Sequence, residues 1–141
     1  MIKEISCANQ SSFLRLNRPG NELRIAAAGQ SFEIYEWSGS GPDYLHVHHA
    51  DDEAWHILEG ALTFRFVDKQ VEAEAGTTVF VPAGVPHTYF VAGGPTRYLI
   101  ILTPRLKALI DALHATPYDQ HGAVMKRFES AIWNPGQERS D

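Results

Sequence analysis

The chain has 141 residues, enough for one domain whose core buries roughly 70% of the surface of the unfolded chain. Its 12 basic and 17 acidic side chains give a net charge of -5 without any Lys/Arg cluster, so we expect no nucleic-acid partner. The single cysteine, Cys7, excludes an internal disulfide framework. The sequence contains no signal-peptide pattern and no uncharged apolar run of about 18 residues, so we expect no membrane partner and a cytoplasmic location.

Short strands are predicted along most of the chain up to Thr103. Residues 13–16 could form an edge strand before a turn at residues 18–21. Residues 32–37 hold aromatic or aliphatic groups in both alternating sets, which fits a strand between the interior and a partner surface. We predict strands at residues 23–28, 32–37, 44–49, 54–59, 62–67, 71–75, 77–81, 88–92 and 97–103. Short strands at this spacing are typical of an antiparallel sandwich or barrel.

Two helices are predicted after the strands. Thr103 can cap the first helix and Pro104 suits its first position. Apolar residues recur there at helical spacing, at Leu106, Leu109, Ile110 and Leu113. Pro117 ends this helix, and a second is predicted from Asp119 to Trp133. The second is marked by Val124, Phe128, Ala131 and Ile132. We expect both helices to cover an edge or a face of the sheets.

Three imidazoles and three carboxylates lie within eight consecutive residues. In a strand, side chains two residues apart point to the same face, so His46 and His48 project together as a chelating pair. Glu53 follows an Ala-Asp-Asp turn, and a hairpin would return its carboxylate to the two imidazoles. Asp51 and Asp52 are alternative carboxylates, although both lie in the turn, where Asp normally bonds the backbone.

His87 is the best candidate for a further ligand. It ends a turn rich in proline and glycine that follows the predicted strand at residues 77–81. Three histidines and one carboxylate, without a thiolate, suit Fe, Mn, Ni, Cu, Co or Zn and leave coordination positions open for water or substrate. We therefore predict one divalent transition metal per chain, in a working site rather than a structural one.

The remaining histidines are expected to have other roles. His49 points away from the chelating pair and is assigned to the surface or to a position behind the ligands. His56 lies three residues after Glu53, on the opposite face of the strand, and is interpreted as structural. His114 and His121 fall on or near the predicted helices and are assigned to solvent.

Two motifs in this stretch resemble those that define the cupin family. The first is fitted by His46-x-His48-x4-Glu53-x6-Gly60, and the second by Gly76-x5-Pro82-x-Gly84-x2-His87. The opening glycine of the family pattern is displaced here, since Gly41 stands one residue too close and Gly39 one too far. Val91 replaces the terminal Asn. None of these departures falls on a metal ligand of the family pattern.

The resemblance implies an all-β fold, the antiparallel double-stranded β-helix or jelly-roll barrel of cupins, here followed by two C-terminal α-helices. We expect a single domain over residues 1–141, with the barrel at about 12–103 and the helical appendage at about 104–133. The resemblance implies that the metal is held by His46, His48, Glu53 and His87. It also implies a homodimer, which would cover the exposed edge strands of a small barrel.

The functional analogy that the resemblance favours is with the quercetinase-like dioxygenases, which act on small organic molecules. In that scheme the three histidines hold the ion, and Glu53 either ligates it or acts as a general base. Small cupins also include isomerases, decarboxylases and lyases, so the reaction rests on analogy. The alternative is a cupin without catalytic activity that binds or senses a small ligand.

A substrate cavity near the metal would be mainly apolar. Aromatic residues on the strands are candidates for its wall or for the core: Tyr35, Trp37, Phe64, Phe66, Phe80, Tyr89 and Tyr98. Arg65 and Arg97 are the only cations on the predicted strands, and either could anchor an anionic group, although exposure to solvent is the favoured interpretation.

Overall fold

The computed structural model describes residues 26–135, in which ten strands form two five-stranded sheets. The strands are β1 Ala26–Ala28, β2 Glu33–Trp37, β3 His46–His48, β4 Glu53–Glu59, β5 Ala61–Phe66, β6 Gln70–Glu74, β7 Thr78–Val81, β8 His87–Val91, β9 Arg97–Leu102 and β10 Ser130–Ile132. Between β9 and β10 lie helix α1 Pro104–His114, a 3-10 turn Tyr118–Gln120 and helix α2 His121–Arg127. Each predicted strand within this part of the chain is present, and the ends that fall there are displaced by two residues at most.

The two sheets pack face to face. Their strand orders are β1-β2-β9-β4-β7 and β10-β3-β8-β5-β6, and the paired strands are antiparallel. Chain neighbours such as β3 and β4 lie in different sheets, so the chain crosses repeatedly from one layer to the other. This topology confirms the predicted all-β jelly roll with two C-terminal helices.

Side-chain alternation divides each sheet into an inner and an outer face. On the inner face of β9, Tyr98, Ile100 and Leu102 are buried. Trp55 contacts Phe64 of the facing sheet edge-on, with ring centroids 5.0 Å apart. Such aromatic pairs stabilise a core by about 0.5–1.5 kcal/mol beyond the burial of their area. The core between the sheets is therefore built around aromatic side chains.

Helix α1 begins where the sequence predicts it. Thr103 Oγ1 accepts a hydrogen bond from the Leu106 backbone N–H at 3.2 Å, and Pro104 occupies the first turn. The helix buries three leucines at helical spacing, Leu106, Leu109 and Leu113. These side chains belong to the same hydrophobic cluster as the strand core, so the helix closes one side of the barrel.

The second predicted helix, from Asp119 to Trp133, is wrong over its last six residues. Helix α2 ends at Arg127, and Glu129 takes a positive φ of 57°, which turns the chain back toward the sheet. Residues 130–132 then pair antiparallel with β3, in the register Ser130 to His48 and Ile132 to His46. The apolar residues that fitted a helical period are thus divided between a short helix and a strand that covers the edge of β3.

Gly60, the last residue of the first motif, makes the turn between β4 and β5. Its φ is 77°, and a Cβ added there would lie 2.2 Å from the carbonyl oxygen of Pro95. Both the backbone conformation and the close approach require glycine. Gly76 also has a positive φ, 92°, but nothing lies within 4 Å of an added Cβ.

An apolar row crosses the outer face of the first sheet. The strand register aligns five side chains from edge to edge, in the order Ala27, Ile34, Ile101, Ala54 and Phe80. The outer face of an antiparallel sheet is commonly polar, yet here Phe80 is 61% exposed and the other four are only partly buried. We call these five residues the outer row. The core role considered for Phe80 from sequence is therefore wrong.

Several sequence predictions fall outside the described residues. They concern Cys7, the edge strand at 13–16, the turn at 18–21, the first part of the strand at 23–28 and the chain beyond residue 135. Within residues 26–135, neither helix is long and apolar enough to span a bilayer.

Candidate metal centre

Three of the predicted ligands meet between the sheets. His46 and His48 share the inner face of β3, and the register places His46 directly opposite His87 of β8. One ring nitrogen from each of the three residues lies within 4.8 Å of those of the other two. All three side chains are buried. The cluster is therefore composed and spaced so that it could hold a metal ion.

Each ring is oriented by an oxygen at its Nδ1 atom. His87 Nδ1 lies 2.9 Å from the Val85 carbonyl oxygen, and His46 Nδ1 lies 3.4 Å from that of Tyr44. Carbonyl oxygens only accept, so both Nδ1 atoms carry the proton and both Nε2 atoms keep a lone pair. This is the arrangement that ligating histidines usually show, with a fixed tautomer and ring orientation.

Ser130 performs the same task for His48, and sequence reasoning missed it. The Ser130 hydroxyl donates to the Phe128 carbonyl oxygen at 3.2 Å, so its oxygen is free to accept from His48 Nδ1 at 2.8 Å. These two residues are 82 positions apart and meet because β10 pairs with β3. Ser130 was missed because its segment was assigned to a helix.

Glu53 enters the cluster from the facing sheet. Its Oε1 atom lies 3.3 Å from His48 Nε2 and 3.5 Å from His87 Nε2, and the side chain is 5% exposed. Although both distances fall within the range of an ion pair, Oε1 and His87 Nε2 are buried without a hydrogen-bond partner. Because the carboxylate oxygen and the imidazole nitrogen each direct a lone pair toward the other, a cation bound between them would stabilise the site. The residues present therefore fit a divalent ion.

Two buried groups of the site have shifted pKa values. Burial lowers the pKa of His46 well below its usual value, and the neighbouring His87 and His48 rings lower it further. Burial by itself raises the pKa of Glu53, but the interactions of the carboxylate with His48 and His87 outweigh burial and bring the pKa down to about 2. The site thus combines a neutral imidazole at His46 with an ionised carboxylate at neutral pH.

The alternative carboxylates are engaged elsewhere. Asp51 Oδ2 lies 3.1 Å from the Arg105 Nε atom, and Asp52 Oδ1 accepts a hydrogen bond from the Ala83 backbone N–H at 2.9 Å. Neither belongs to the histidine cluster. Among the three acidic residues of this stretch, Glu53 is the one that contacts the imidazoles.

The other histidines separate into three environments. His49 is exposed, which agrees with the first of the two positions predicted for it, the surface. His56 Nδ1 lies 2.7 Å from Thr78 Oγ1, away from the cluster. His114 is exposed at the end of α1. The assignment of His121 to solvent is wrong, because its ring is partly buried and bonded to the Tyr44 hydroxyl at 2.7 Å. The sequence gives no local signal for this contact between residues 77 positions apart.

A cavity of about 370 Å³ opens beside the cluster. This volume is within the usual range of small-molecule sites, about 300–1,000 Å³. Its floor includes three cluster residues, His46, His48 and Glu53. The strands contribute Trp37, Tyr89, Tyr98 and Ile100. The helical segment contributes Leu109, Ile110, Leu113, His114, His121 and Met125, and the loop before β3 contributes Ser38, Ser40, Gly41, Pro42 and Tyr44. The expectation of a mainly apolar wall is therefore met, and the helices supply several of its apolar side chains.

The two strand arginines lie away from the cavity. Arg97 is paired with Glu36 at 2.9 Å and with Glu59 at 3.3 Å, and these carboxylates raise its pKa above the usual value. Neither Arg97 nor Arg65 lines the cavity. Nothing in their positions supports the suggestion that they anchor an anionic substrate.

Of the two glycines near the opening position of the first motif, Gly41 is the one that lies against β8. A Cβ added at Gly41 would lie 2.8 Å from the Tyr89 ring, and the Gly41 N–H donates to the Tyr89 carbonyl oxygen at 2.9 Å. Gly39, the other displaced glycine, has a positive φ of 97° and open space around an added Cβ. The close approach of backbone to β8 thus falls on Gly41.

Comparisons with known proteins agree with this architecture. The chain resembles the solved structure of KdgF from a Halomonas species at 14% identity, with a TM-score of 0.50, covering 57% of this chain and 76% of the other. A cupin protein from Bacteroides fragilis is similar at 16% identity and a TM-score of 0.51, covering 64% and 83% of the two chains. At these identities the likeness shows the fold alone.

The sequence comparisons identify the family. A search of functionally curated proteins returned no significant match. The family model described as the cupin domain matches residues 31–102, about half of the chain, including both motifs and the four residues of the cluster. The chain therefore belongs to the cupin family.

Proposed function

We propose that this cupin is a metal-dependent enzyme that acts on a small organic molecule. The observation that carries the proposal is the convergence of His46, His48 and His87 beside a cavity whose floor includes the first two, with every ring oriented by a hydrogen bond at its Nδ1 atom. Such second contacts fix the ligands of a working metal site. An ion there would be held by the three imidazoles and by Glu53.

The apolar residues that line the cavity favour a reaction from which water is excluded. When bound, a divalent ion supplies an electrophilic centre and, if redox-active, a route for electrons between substrate and O2. The apolar wall holds the substrate body, and burial strengthens electrostatic interactions at the floor. Glu53 either ligates the ion or, when displaced from it, accepts a proton from a substrate hydroxyl.

A dioxygenase of the quercetinase-like kind is our best assignment of the reaction. Nitrogen and oxygen ligands without a thiolate suit the ions used for such chemistry, and the resemblance of the two motifs points the same way. An isomerase or lyase would use the same centre without O2, and a sensor would bind without turnover. We also place the protein in the cytoplasm.

Metal content and oxygen uptake test this assignment. Protein purified without a histidine tag should contain about one divalent transition metal per chain, and the His48→Ala/His87→Ala double variant should contain none. His56→Ala is the matched control, because His56 lies outside the cluster. The metallated protein should consume O2 with at least one compound in a screen of flavonols, diketones and thiols. Undiminished metal in the double variant would show that the ligand assignment is wrong, and turnover without O2 uptake would favour an isomerase or lyase.

We further propose a homodimer formed through the outer row. A two-fold axis at Ile101 would place Phe80 of one chain over Ala27 of the other, and Ile34 over Ala54. Large side chains would then meet small ones on either side of the axis, and the two Ile101 side chains would meet at the axis of an isologous interface. The exposure of Phe80 supports this surface as the one that is covered.

A further inference from the structure

The bond between Tyr44 and His121 has a fixed direction. His121 Nε2 lies 3.1 Å from the carbonyl oxygens of both Leu113 and Thr116. Because these oxygens can only accept, Nε2 carries the proton and Nδ1 keeps a lone pair. The Tyr44 hydroxyl, 2.7 Å from Nδ1, is therefore the donor. Its remaining lone pairs can only accept a further hydrogen bond.

The other two tyrosines of the cavity are committed in the same way. Tyr98 donates its hydroxyl proton to the Gly39 carbonyl oxygen at 2.8 Å. The Tyr89 oxygen lies 3.1 Å from the Tyr98 oxygen, so Tyr89 donates to Tyr98. All three cavity tyrosines thus use their protons inside the protein and act as hydrogen-bond acceptors toward a ligand.

The charged groups of the cavity also disfavour an anion. The Glu53 carboxylate lies at the floor, where His46 and His48 direct lone pairs toward the ion site. None of the described residues that line the cavity is a lysine or an arginine. Once one ligand atom has reached the ion, a further carboxylate or phosphate on the ligand would be buried without a cation. Burial of an unpaired charge is strongly unfavourable.

We propose that the cavity takes an uncharged molecule with an apolar body and a hydroxyl group that donates to Tyr44, and that the Tyr44–His121 pair selects for that hydroxyl. The inference rests on the proposed function, because it assigns a substrate class to the same cavity. His121 lies beyond residues 31–102, the part that matches the family model. The residue that orients the Tyr44 hydroxyl is therefore supplied by the helical segment rather than by the barrel.

Three simple probes separate the possibilities. Catechol carries hydroxyl donors, veratrole replaces both by methyl ethers, and benzoate carries a negative charge. Their affinities are measured by calorimetry in metal-free and in zinc-loaded protein. We expect catechol to bind about 10-fold more tightly than veratrole, the upper end of what one net hydrogen bond contributes. In metal-free protein, benzoate should bind most weakly.

Two variants at the selecting pair sharpen the test. Tyr44→Phe should weaken catechol about 10-fold and leave veratrole unchanged, whereas Tyr35→Phe, which removes a hydroxyl bonded to Glu33 outside the cavity, should change neither. In His121→Phe the Tyr44 hydroxyl proton is free to donate into the cavity, so the affinity for veratrole should rise relative to the affinity for catechol. A purely structural role for the pair would weaken all three probes equally.

The outcomes distinguish this inference from the proposed function. Equal affinities for catechol and veratrole, tighter binding of benzoate to metal-free protein, or no binding of catechol would each overturn the substrate class. Selection for catechol in metal-free protein, together with a failure to take up metal or turn over substrate, would support the inference and refute the enzyme. Metal uptake and turnover without selection for a donor would do the reverse.

Discussion

At the scale of single residues, the candidate site consists of the three imidazoles and of the oxygen atoms that orient them at Nδ1. His46, His48 and His87 could be expected together from strand alternation and motif spacing, both of which are local properties of the sequence. Ser130 and His121 could not, because each reaches its partner across more than 70 residues. Sequence periodicity contains no information about such pairs.

Replacing Glu53 by Gln separates a structural carboxylate from a catalytic one. The change keeps the shape and one oxygen acceptor but removes the charge and the basicity. We expect the three imidazoles to retain the metal while turnover falls by roughly 100-fold to 10,000-fold, the usual contribution of a positioned base. Metal content and turnover are measured side by side. Loss of metal in proportion to activity would instead make Glu53 a ligand alone, and a metallated variant with near-native turnover would eliminate both roles.

Replacing Ser130 by Ala should loosen the metal without removing any ligand. His48 would lose the acceptor at Nδ1, and its ring orientation would no longer be fixed. We expect metal affinity to fall by roughly 10-fold to 100-fold, as for other second contacts of ligating histidines. Thr78→Ala is the matched control, since it removes the same kind of hydroxyl from His56 outside the cluster. Equal affinities of the two variants, measured by chelator competition, would refute the role of Ser130.

At the scale of the elements, alternation and turn residues located the strands well, because each strand buries one face. The prediction failed at residues 130–132, where Ala131 and Ile132, two of the apolar residues that fitted a helical period, lie in a strand that pairs with β3 instead. There, tertiary pairing with an open strand edge outweighs local periodicity. Because the missed strand carries Ser130, the hydrogen-bond partner of His48 was not predicted either.

The turn at Gly60 provides a stability test. Gly60→Ala combines a positive φ with a clash against the Pro95 carbonyl oxygen, whereas Gly76→Ala combines a similar φ with open space. We expect the free energy of unfolding to fall by about 1 kcal/mol in Gly76→Ala and by about 3 kcal/mol or more in Gly60→Ala. Urea denaturation measures both. Equal losses would show that the backbone conformation, and not the close approach, makes Gly60 necessary.

At the scale of the whole molecule, a substitution in the outer row tests the proposed homodimer. Phe80→Glu would bury an unpaired charge in the proposed interface, so we expect dimer dissociation to become at least about 100-fold easier. Light scattering should then give the mass of one chain, 15.7 kDa, for the variant and twice that mass for the native protein. Phe90→Glu changes another exposed phenylalanine, on the second sheet, and should leave the dimer intact. A native protein that is monomeric at all concentrations would refute the interface.

The strand β10 closes the edge of β3 and at the same time fixes the ring of His48 through Ser130. Ion binding at the proposed metal site and the docking of β10 on β3 are therefore thermodynamically coupled. Thermodynamic linkage is reciprocal, so whatever affinity the ion gains from a docked β10, the docking of β10 gains from the ion. A protein that has lost its metal would then open first at its carboxyl-terminal strand, and the cavity wall formed by the preceding helices would loosen with it.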